Sequence, residues 1–227
     1  DLMGYPVYET FYSWQGEGVH IGKSAFFIRL FGCPVHCPWC DSAGTWHPDY
    51  VPDRVEKYEV ETLAKLATAA EPELVVVTGG EPVIHDLESL TAELGKAGLS
   101  RHLETSGCRE ISGEWDWITL SPKREAVPVQ SALENADEFK LIIDNDGAID
   151  EWVAFLSDQI DGRPIWLHPE WSQHSNTEIL NRITSLVKKN GSPFRAGVQA
   201  HKFYQADTLD PRSVNPKPLG GNPKRGY

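Results

Sequence analysis

Residues 24–40 read SAFFIRLFGCPVHCPWC, an apolar run that leads directly into a loop with three cysteines. Nearly every position of residues 24–31 is apolar, and this pattern predicts a strand that is buried on both faces. Strands of this kind are typical of parallel sheets covered by helices. The sequence therefore predicts an α/β fold in which an early strand delivers the cysteine loop.

The rest of the chain alternates strand-like and helix-like stretches, apart from an irregular polar segment at residues 46–58. Further strands are predicted at residues 5–12, 74–78, 101–105, 115–120, 138–143, 164–168 and 195–199. Helices are predicted at residues 60–70, 86–97, 148–159 and 176–189, with a shorter turn near residues 130–135. This alternation favours a parallel sheet with helical crossovers, and about six βα units predict a partial, TIM-like barrel that is incomplete.

Polar, glycine-rich or cysteine-rich stretches follow five of the predicted strands. They come directly after Phe31, Thr78, Thr105, Leu120 and His168. Ligand sites in such folds lie at the carboxyl ends of the parallel strands. The sequence therefore predicts one site at this end of the barrel.

Bulk composition describes an ordinary globular chain of 227 residues, 40% hydrophobic and 24% charged. Its net charge of −12 repels phosphate backbones and argues against a general nucleic-acid binder. No apolar run approaches the roughly 18 residues that span a bilayer. Residues 1–12 lack a basic start followed by an apolar stretch, so we expect no signal peptide and a cytoplasmic location.

The domain organisation is predicted to be simple. Residues 1–207 form one domain, and residues 208–227 form an extension with four prolines, three glycines and no periodicity. A flexible tail is the favoured interpretation. The alternative is that this extension, which contains Lys217, Lys224 and Arg225, folds over the ligand pocket.

The cysteine loop has the spacing C-x3-C-x2-C at Cys33, Cys37 and Cys40. Such crowding argues against a disulfide framework. Three thiolates this close can each ligate a different iron of a [4Fe–4S] cluster. The fourth iron is then open to a small molecule.

Structural zinc is the alternative interpretation, with His36, His47 or Cys108 as a fourth ligand. Zinc ribbons usually contribute two separated cysteine pairs, and the sequence has no second pair. We therefore favour the cluster, and interpret Cys108 as a small core residue.

With Trp39 before the last cysteine, the loop resembles that of the radical S-adenosylmethionine superfamily, in which the open iron chelates the amino and carboxylate groups of S-adenosylmethionine. Gly79-Gly80-Glu81-Pro82 is similar to that superfamily's segment facing the methionine amino group. Glycines there permit close approach of the backbone.

An ordered set of further motifs narrows the resemblance to the 7-carboxy-7-deazaguanine synthase family, over about residues 5–203. The motifs are Trp14-Gln15-Gly16-Glu17-Gly18, Phe27-Ile28-Arg29-Leu30, Cys40-Asp41-Ser42, Thr78-Gly79-Gly80-Glu81-Pro82, Glu104-Thr105-Ser106-Gly107, Ser121-Pro122-Lys123 and His201-Lys202-Phe203.

The resemblance implies conversion of 6-carboxy-5,6,7,8-tetrahydropterin to 7-carboxy-7-deazaguanine and ammonia, in queuosine and 7-deazapurine biosynthesis. S-adenosylmethionine, cleaved by a reduced cluster, gives the radical that takes hydrogen from C6 of the substrate. The resemblance also implies Mg²⁺, a low-potential electron donor such as flavodoxin, and a homodimer.

The implied site residues fall into four groups. The cluster ligands are Cys33, Cys37 and Cys40. Residues implied to contact S-adenosylmethionine are Trp39, Cys40, Asp41, Gly80, Ser106, Ser121, Pro122 and Lys123. Residues implied to bind the pterin are Trp14, Gln15, Gly16, Arg29 and Thr78, with Glu17 a weaker candidate. Ser42 is implied to coordinate Mg²⁺, although from the residues alone it would be a loop-capping hydroxyl and Asp41 the preferred metal ligand.

Other interpretations stay open at this point. Arg29 on a buried strand suits the substrate carboxylate, and the alternative interpretation is a structural ion pair. The chain could instead activate a partner protein by forming a glycyl radical, or be a non-catalytic metal-binding module. In shorter family members the chain terminus near His201 is a candidate substrate-binding group, and Asp207 is a candidate to take its place here. Residues 168–171 are candidates to touch the cofactor.

Overall fold

The computed structural model describes residues 4–219. The strands are β1 (Tyr5–Trp14), β2 (Ser24–Leu30), β3 (Glu56–Tyr58), β4 (Leu74–Gly79), β5 (Arg101–Thr105), β6 (Trp117–Leu120), β7 (Glu138–Ile143), β8 (Ile165–Pro169) and β9 (Phe194–Ala196). The helices are α1 (Val60–Ala70), α2 (Glu88–Lys96), α3 (Gln130–Asn135), α4 (Ala148–Phe155), α5 (Thr177–Asn190) and α6 (Ala200–Tyr204).

All nine strands form one sheet in the order β3-β1-β2-β4-β5-β6-β7-β8-β9. The strands from β2 to β9 in this order run parallel, whereas β1 is antiparallel to both β2 and β3. The edge strands β3 and β9 are not paired with each other, so the sheet stays open. The predicted α/β partial barrel is confirmed.

The two faces of the sheet differ in chemistry, and β7 shows the difference. Phe139, Leu141 and Ile143 are fully buried in the main hydrophobic core, on the side where the helices pack. Glu138 and Lys140 alternate with them and point to the interior of the partial barrel, because side chains alternate along a strand. The helices thus stabilise the outer face, and the inner face carries polar groups.

Most element boundaries lie within two residues of those predicted, and three segments differ by more. A strand is present near the predicted range 195–199, but the predicted end is wrong, since β9 ends at Ala196 and α6 begins at Ala200. The segment expected to be irregular contains β3, an edge strand of only three residues. The predicted helix at residues 148–159 is divided into α4 and a short 3-10 turn, Ser157–Gln159. None of the described helices is long and apolar enough to cross a membrane.

Residues 208–219 pack against the cysteine loop instead of forming the flexible tail that we expected. The Leu219 N–H donates to the Cys40 carbonyl at 2.7 Å, and the Ala43 N–H donates to the Lys217 carbonyl at 3.2 Å. The Val214 N–H donates to a carboxylate oxygen of Glu9 at 2.6 Å. The remainder of the extension, with Lys224 and Arg225, lies outside the described residues.

Candidate active site

A cavity of about 200 Å³ opens at the carboxyl ends of the parallel strands, beside the cysteine loop. It collects most of the residues that the sequence singled out. Among its lining residues are Gln15, Glu17, Arg29, Cys33, Cys37, Trp39, Cys40, Asp41, Ser42, Thr78, Gly80, Ser106, Ser121 and Lys123. Trp14, Gly16 and Pro122 were predicted to contact ligands and are not in the lining.

The three clustered cysteines are free thiols at the wall of this cavity. Burial raises the pKa of Cys37 to about 12, and it raises the pKa of Cys33 as well. These thiols must therefore lose protons when a metal binds. Cys108 packs against the hydrophobic core, as expected.

The donor set fits a cluster with an open iron. Three thiols from one loop reach the cavity, and each can ligate one iron. The backbone N–H groups of Val35 and His36 donate to the Cys33 sulfur, and the Trp46 indole donates to the Cys40 sulfur at 3.4 Å. Such bonds to cluster sulfurs tune reduction potential. Within residues 4–219, no three His, Cys, Asp or Glu side chains converge on the position of a single ion.

The loop after β4 lies directly on the cysteine loop. A Cβ added at Gly80 would approach the Gly32 carbonyl oxygen to 2.1 Å, so only glycine permits this contact. Glu81, only 2% exposed, turns the other way. Its carboxylate accepts from the Ser106 N–H at 2.8 Å and from the hydroxyls of Thr105 and Ser106. Glu81 therefore joins the loops after β4 and β5, and uses the Ser106 hydroxyl to do so.

Lys123 lines the cavity close to Trp39 of the cysteine loop. Its ammonium donates to the Ser121 carbonyl at 2.6 Å and to the Ser121 hydroxyl at 2.7 Å. It lies 5.8 Å from the centre of the Trp39 ring. Burial lowers the pKa of Lys123. An anion bound at this wall would contact the Lys123 ammonium, which Ser121 already holds in place.

The turn after β1 enters the cavity from the other end of the barrel. Gln15 Nε2 donates to Glu104 Oε1 at 3.0 Å, and Thr78 Oγ1 lies 3.4 Å from Glu104 Oε2. Glu104 lines the cavity, although the sequence analysis assigned it no role beyond its place in a motif. The sequence feature that marks Glu104 is a carboxylate within a strand, between the buried residues Leu103 and Thr105.

Glu17 and Lys140 form a buried ion pair in the cavity floor. Gln199 Nε2 also donates to Glu17 at 2.7 Å. Burial alone would raise the pKa of Glu17, but the Lys140 ammonium holds that pKa well below its usual range. Lys140 was missed in the sequence, although a lysine in the strand sequence EFKLII is an available signal. The floor therefore combines fixed charges of both signs.

Arg29 is held by the protein on two sides. Its Nε donates to Glu9 Oε1 at 2.8 Å, and its Nη1 donates to the Gly79 carbonyl at 2.9 Å. Burial would lower the pKa of Arg29, yet the Glu9 carboxylate raises it. The ion pair allowed by the sequence is therefore present, and the arginine still lines the cavity.

Asp41 is paired with Lys202 at 2.6 Å, and Ser42 lies beside it. The Asp41 side chain is 46% exposed, toward the cavity. Removal from water would raise the pKa of Asp41, but the Lys202 ammonium has the larger effect and holds that pKa below its usual range. Ser42 Oγ lies 3.7 Å from Cys40 Sγ. Of the two oxygen donors, Ser42 is the one without an ammonium partner among the hydrogen bonds of the described residues.

Trp14 and Gly16 have structural contacts behind the cavity. The Trp14 ring packs edge-on against Tyr204, with centroids 5.3 Å apart. A Cβ at Gly16 would approach His201 Nδ1 to 2.0 Å. His201 in turn lies 3.8 Å from Asp207, and both line the cavity. Because residue 16 is a glycine, His201 of α6 can pack against the turn after β1.

Comparison with known proteins agrees with this geometry. A family described as "4Fe-4S single cluster domain" matches residues 14–126. The 7-carboxy-7-deazaguanine synthase of Synechocystis is 43% identical over 202 residues, covering 88% of this chain and 93% of that protein. The enzyme of the same name from Escherichia coli K12 is 36% identical over 231 residues, covering 88% and 98%.

A solved structure, the crystal structure of QueE from Escherichia coli, has a TM-score of 0.74 and 33% identity. The superposition covers 88% of this chain and 96% of that one. The open α/β barrel and its three-cysteine loop define a radical S-adenosylmethionine enzyme with a [4Fe–4S] cluster. Within that class, the chain belongs to the 7-carboxy-7-deazaguanine synthase family.

Proposed function

We propose that this chain converts 6-carboxy-5,6,7,8-tetrahydropterin to 7-carboxy-7-deazaguanine with loss of ammonia, for the biosynthesis of queuosine and other 7-deazapurines. The observation that carries the proposal is one cavity that joins three free thiols to a floor of fixed, paired charges. When bound, the cluster and S-adenosylmethionine supply the radical chemistry. The protein holds both partners and orients the pterin.

Cofactor binding falls to one side of the cavity. Cys33, Cys37 and Cys40 hold the cluster, and the backbone at Gly80 lies against their loop. Lys123 presents a fixed ammonium to an anionic oxygen of S-adenosylmethionine, with Trp39 and Ser121 around it. Asp41 and Ser106 contribute to this wall, although both side chains are engaged within the protein.

Pterin binding falls to the floor. Glu104 presents two carboxylate oxygens beside Gln15 and Thr78, an arrangement suited to the adjacent N–H donors of a pterin ring. The Glu17 and Lys140 pair offers an acceptor and a donor at a neighbouring position. Because these groups are buried and already paired, the floor is preorganised and loses little freedom when substrate binds.

The substrate carboxylate is assigned to Arg29, whose Nε and one Nη1 proton are committed to Glu9 and Gly79. The remaining guanidinium protons serve the ligand. Ser42 provides a hydroxyl for Mg²⁺, a cation that takes oxygen ligands and usually completes its shell with water and substrate. Asp41 supports this position through its charge.

The wider setting is proposed from the family resemblance. The enzyme works in the cytoplasm as a homodimer and receives electrons from a low-potential donor such as flavodoxin. Its net charge of −12 argues against a direct nucleic-acid partner.

The test is an anaerobic assay of the reconstituted, reduced protein with the carboxypterin, S-adenosylmethionine and Mg²⁺. We expect 7-carboxy-7-deazaguanine, and none from a Cys37→Ala variant. Accumulation of methionine and 5′-deoxyadenosine without deazaguanine would contradict the substrate assignment. Glycyl radical formed on an added partner would instead identify an activating enzyme.

A further inference from the structure

Glu138, the first residue of β7, is a buried carboxylate surrounded by neutral donors. It is 2% exposed. Oε1 accepts from Thr119 Oγ1 at 2.8 Å and from Trp117 Nε1 at 3.1 Å. Oε2 accepts from Trp166 Nε1 at 2.7 Å and from the Val19 N–H at 3.0 Å. Among the salt bridges of the described residues, none includes Glu138.

The Val19 donor belongs to the turn between β1 and β2, which carries Gln15 and Glu17 into the cavity. Gly18 has φ +70°, and a Cβ there would lie 2.3 Å from Glu138 Oε1. The backbone of the turn therefore rests directly on the carboxylate.

A second contact fixes the same turn. The His20 ring packs edge-on against Trp117, with centroids 4.7 Å apart, and Trp117 is one of the two indoles that donate to Glu138. Lys140, two residues along β7 and therefore on the same face as Glu138, pairs with Glu17. One face of β7 thus binds the turn at Val19 and at Glu17.

Such an arrangement is sensitive to any change in the acceptor. A buried carboxylate is tolerated only when its lone pairs are satisfied, and charge-assisted hydrogen bonds are stronger than neutral ones. Loss of the charge weakens every one of these bonds together. The part of the molecule that would move is the turn, since the indoles and Thr119 belong to strands of the sheet.

We propose that Glu138 is a positioning residue for substrate binding: its carboxylate fixes the turn after β1 so that Gln15 and Glu17 meet the pterin. Glu138 does not line the cavity itself. This inference rests on the proposed function, and it adds a residue outside the motifs that identify the family.

The test compares Glu138→Gln with wild type and with Glu134→Gln, a control at an exposed carboxylate that accepts from Gln130. In Glu138→Gln, the new amide places N–H groups opposite existing donors. We expect KM for the carboxypterin to rise about tenfold. Iron content and cleavage of S-adenosylmethionine without pterin should match wild type, since the cysteine loop is untouched. Glu134→Gln should match wild type throughout.

Two further variants test the proposal if the Glu138→Gln protein does not fold. Thr119→Val removes one donor, and Gly18→Ala displaces the turn from its own side. Both should raise KM with iron content retained. Folded variants with a wild-type KM would overturn the role of Glu138, whereas a wild-type protein that binds and converts no carboxypterin would overturn the proposed function instead.

Discussion

Glu9 joins Arg29 to the C-terminal segment: one carboxylate oxygen accepts from Arg29 Nε at 2.8 Å, and the other accepts from the Val214 N–H at 2.6 Å. The two side chains are only 18% and 7% exposed, for Arg29 and Glu9 respectively. Val214 lies beyond the predicted domain boundary at residue 207. Through Glu9, this part of the chain helps to orient Arg29, the residue assigned to the substrate carboxylate.

Removing this carboxylate should destabilise the protein. Glu9→Ala leaves the Arg29 charge buried without its partner, and we expect the free energy of unfolding to fall by about 3 kcal/mol. Glu93→Ala, which removes an exposed pair with Lys96, should cost less than about 1 kcal/mol. Urea denaturation under anaerobic conditions measures both. Equal losses in the two variants would show that the Glu9–Arg29 pair stabilises the protein no more than an exposed ion pair does.

Ser42→Ala should abolish stimulation by Mg²⁺ while the iron content stays unchanged. The variant removes the hydroxyl assigned to the cation and leaves all three thiols in place. Ser42→Thr retains a hydroxyl and should respond to Mg²⁺ as wild type does. A titration of product formation against Mg²⁺ decides the matter, and an unchanged dependence in Ser42→Ala would remove this residue from the metal site.

Stability should depend on pH through His168. This histidine is fully buried, and neither ring nitrogen has a hydrogen-bond partner in the described structure. Burial lowers the pKa of His168 to about 4, while its unfolded value is near 6.5. The unfolded chain therefore binds the proton first, and folded stability falls as pH drops through this window.

The expected loss attributable to this one residue is about 2 kcal/mol between pH 7 and pH 5. His102, whose pKa burial also lowers to about 4, contributes a similar pH dependence of stability, and this contribution remains in a His168→Gln variant. Urea denaturation of both proteins at the two pH values gives the difference. Identical pH dependence in wild type and His168→Gln would contradict the assignment.

The C-terminal segment should protect the cluster loop. Leu219→Pro removes the N–H that donates to the Cys40 carbonyl, whereas Leu219→Ala keeps it. One net hydrogen bond is worth about 1 kcal/mol, so we expect air to bleach the cluster about fivefold faster in Leu219→Pro. Absorbance of the reconstituted protein after exposure to air measures this rate. Equal rates in the two variants would mean that the hydrogen bond does not hold the loop.

Local signals in the sequence predicted the parts of the fold and site that depend on neighbouring residues. The three cysteines lie within one loop, and apolar periodicity marks most of the strands and helices. α5 begins at the expected place because the Asn176 side chain accepts from the N–H groups of Glu178 and Ile179. The three-residue strands β3 and β9 carry too little periodicity to define their bounds.

What the sequence could not predict are contacts between distant residues. Glu17 and Lys140 are 123 positions apart, and Asp41 and Lys202 are 161 apart. No local pattern pairs them, because only the folding of the whole sheet brings them together. The extension was misjudged for another reason: Leu219 and Lys217 bind the cysteine loop through main-chain groups, which leave no signature in side-chain patterning.

The central claim is that Cys33, Cys37 and Cys40 hold a [4Fe–4S] cluster whose remaining iron is reserved for S-adenosylmethionine. Electron paramagnetic resonance of the anaerobically reduced protein, recorded before and after that compound is added, tests it most directly. We predict the spectrum of a reduced [4Fe–4S] cluster that changes on addition. A spectrum without such a cluster, or one that the compound leaves unaltered, would contradict the account.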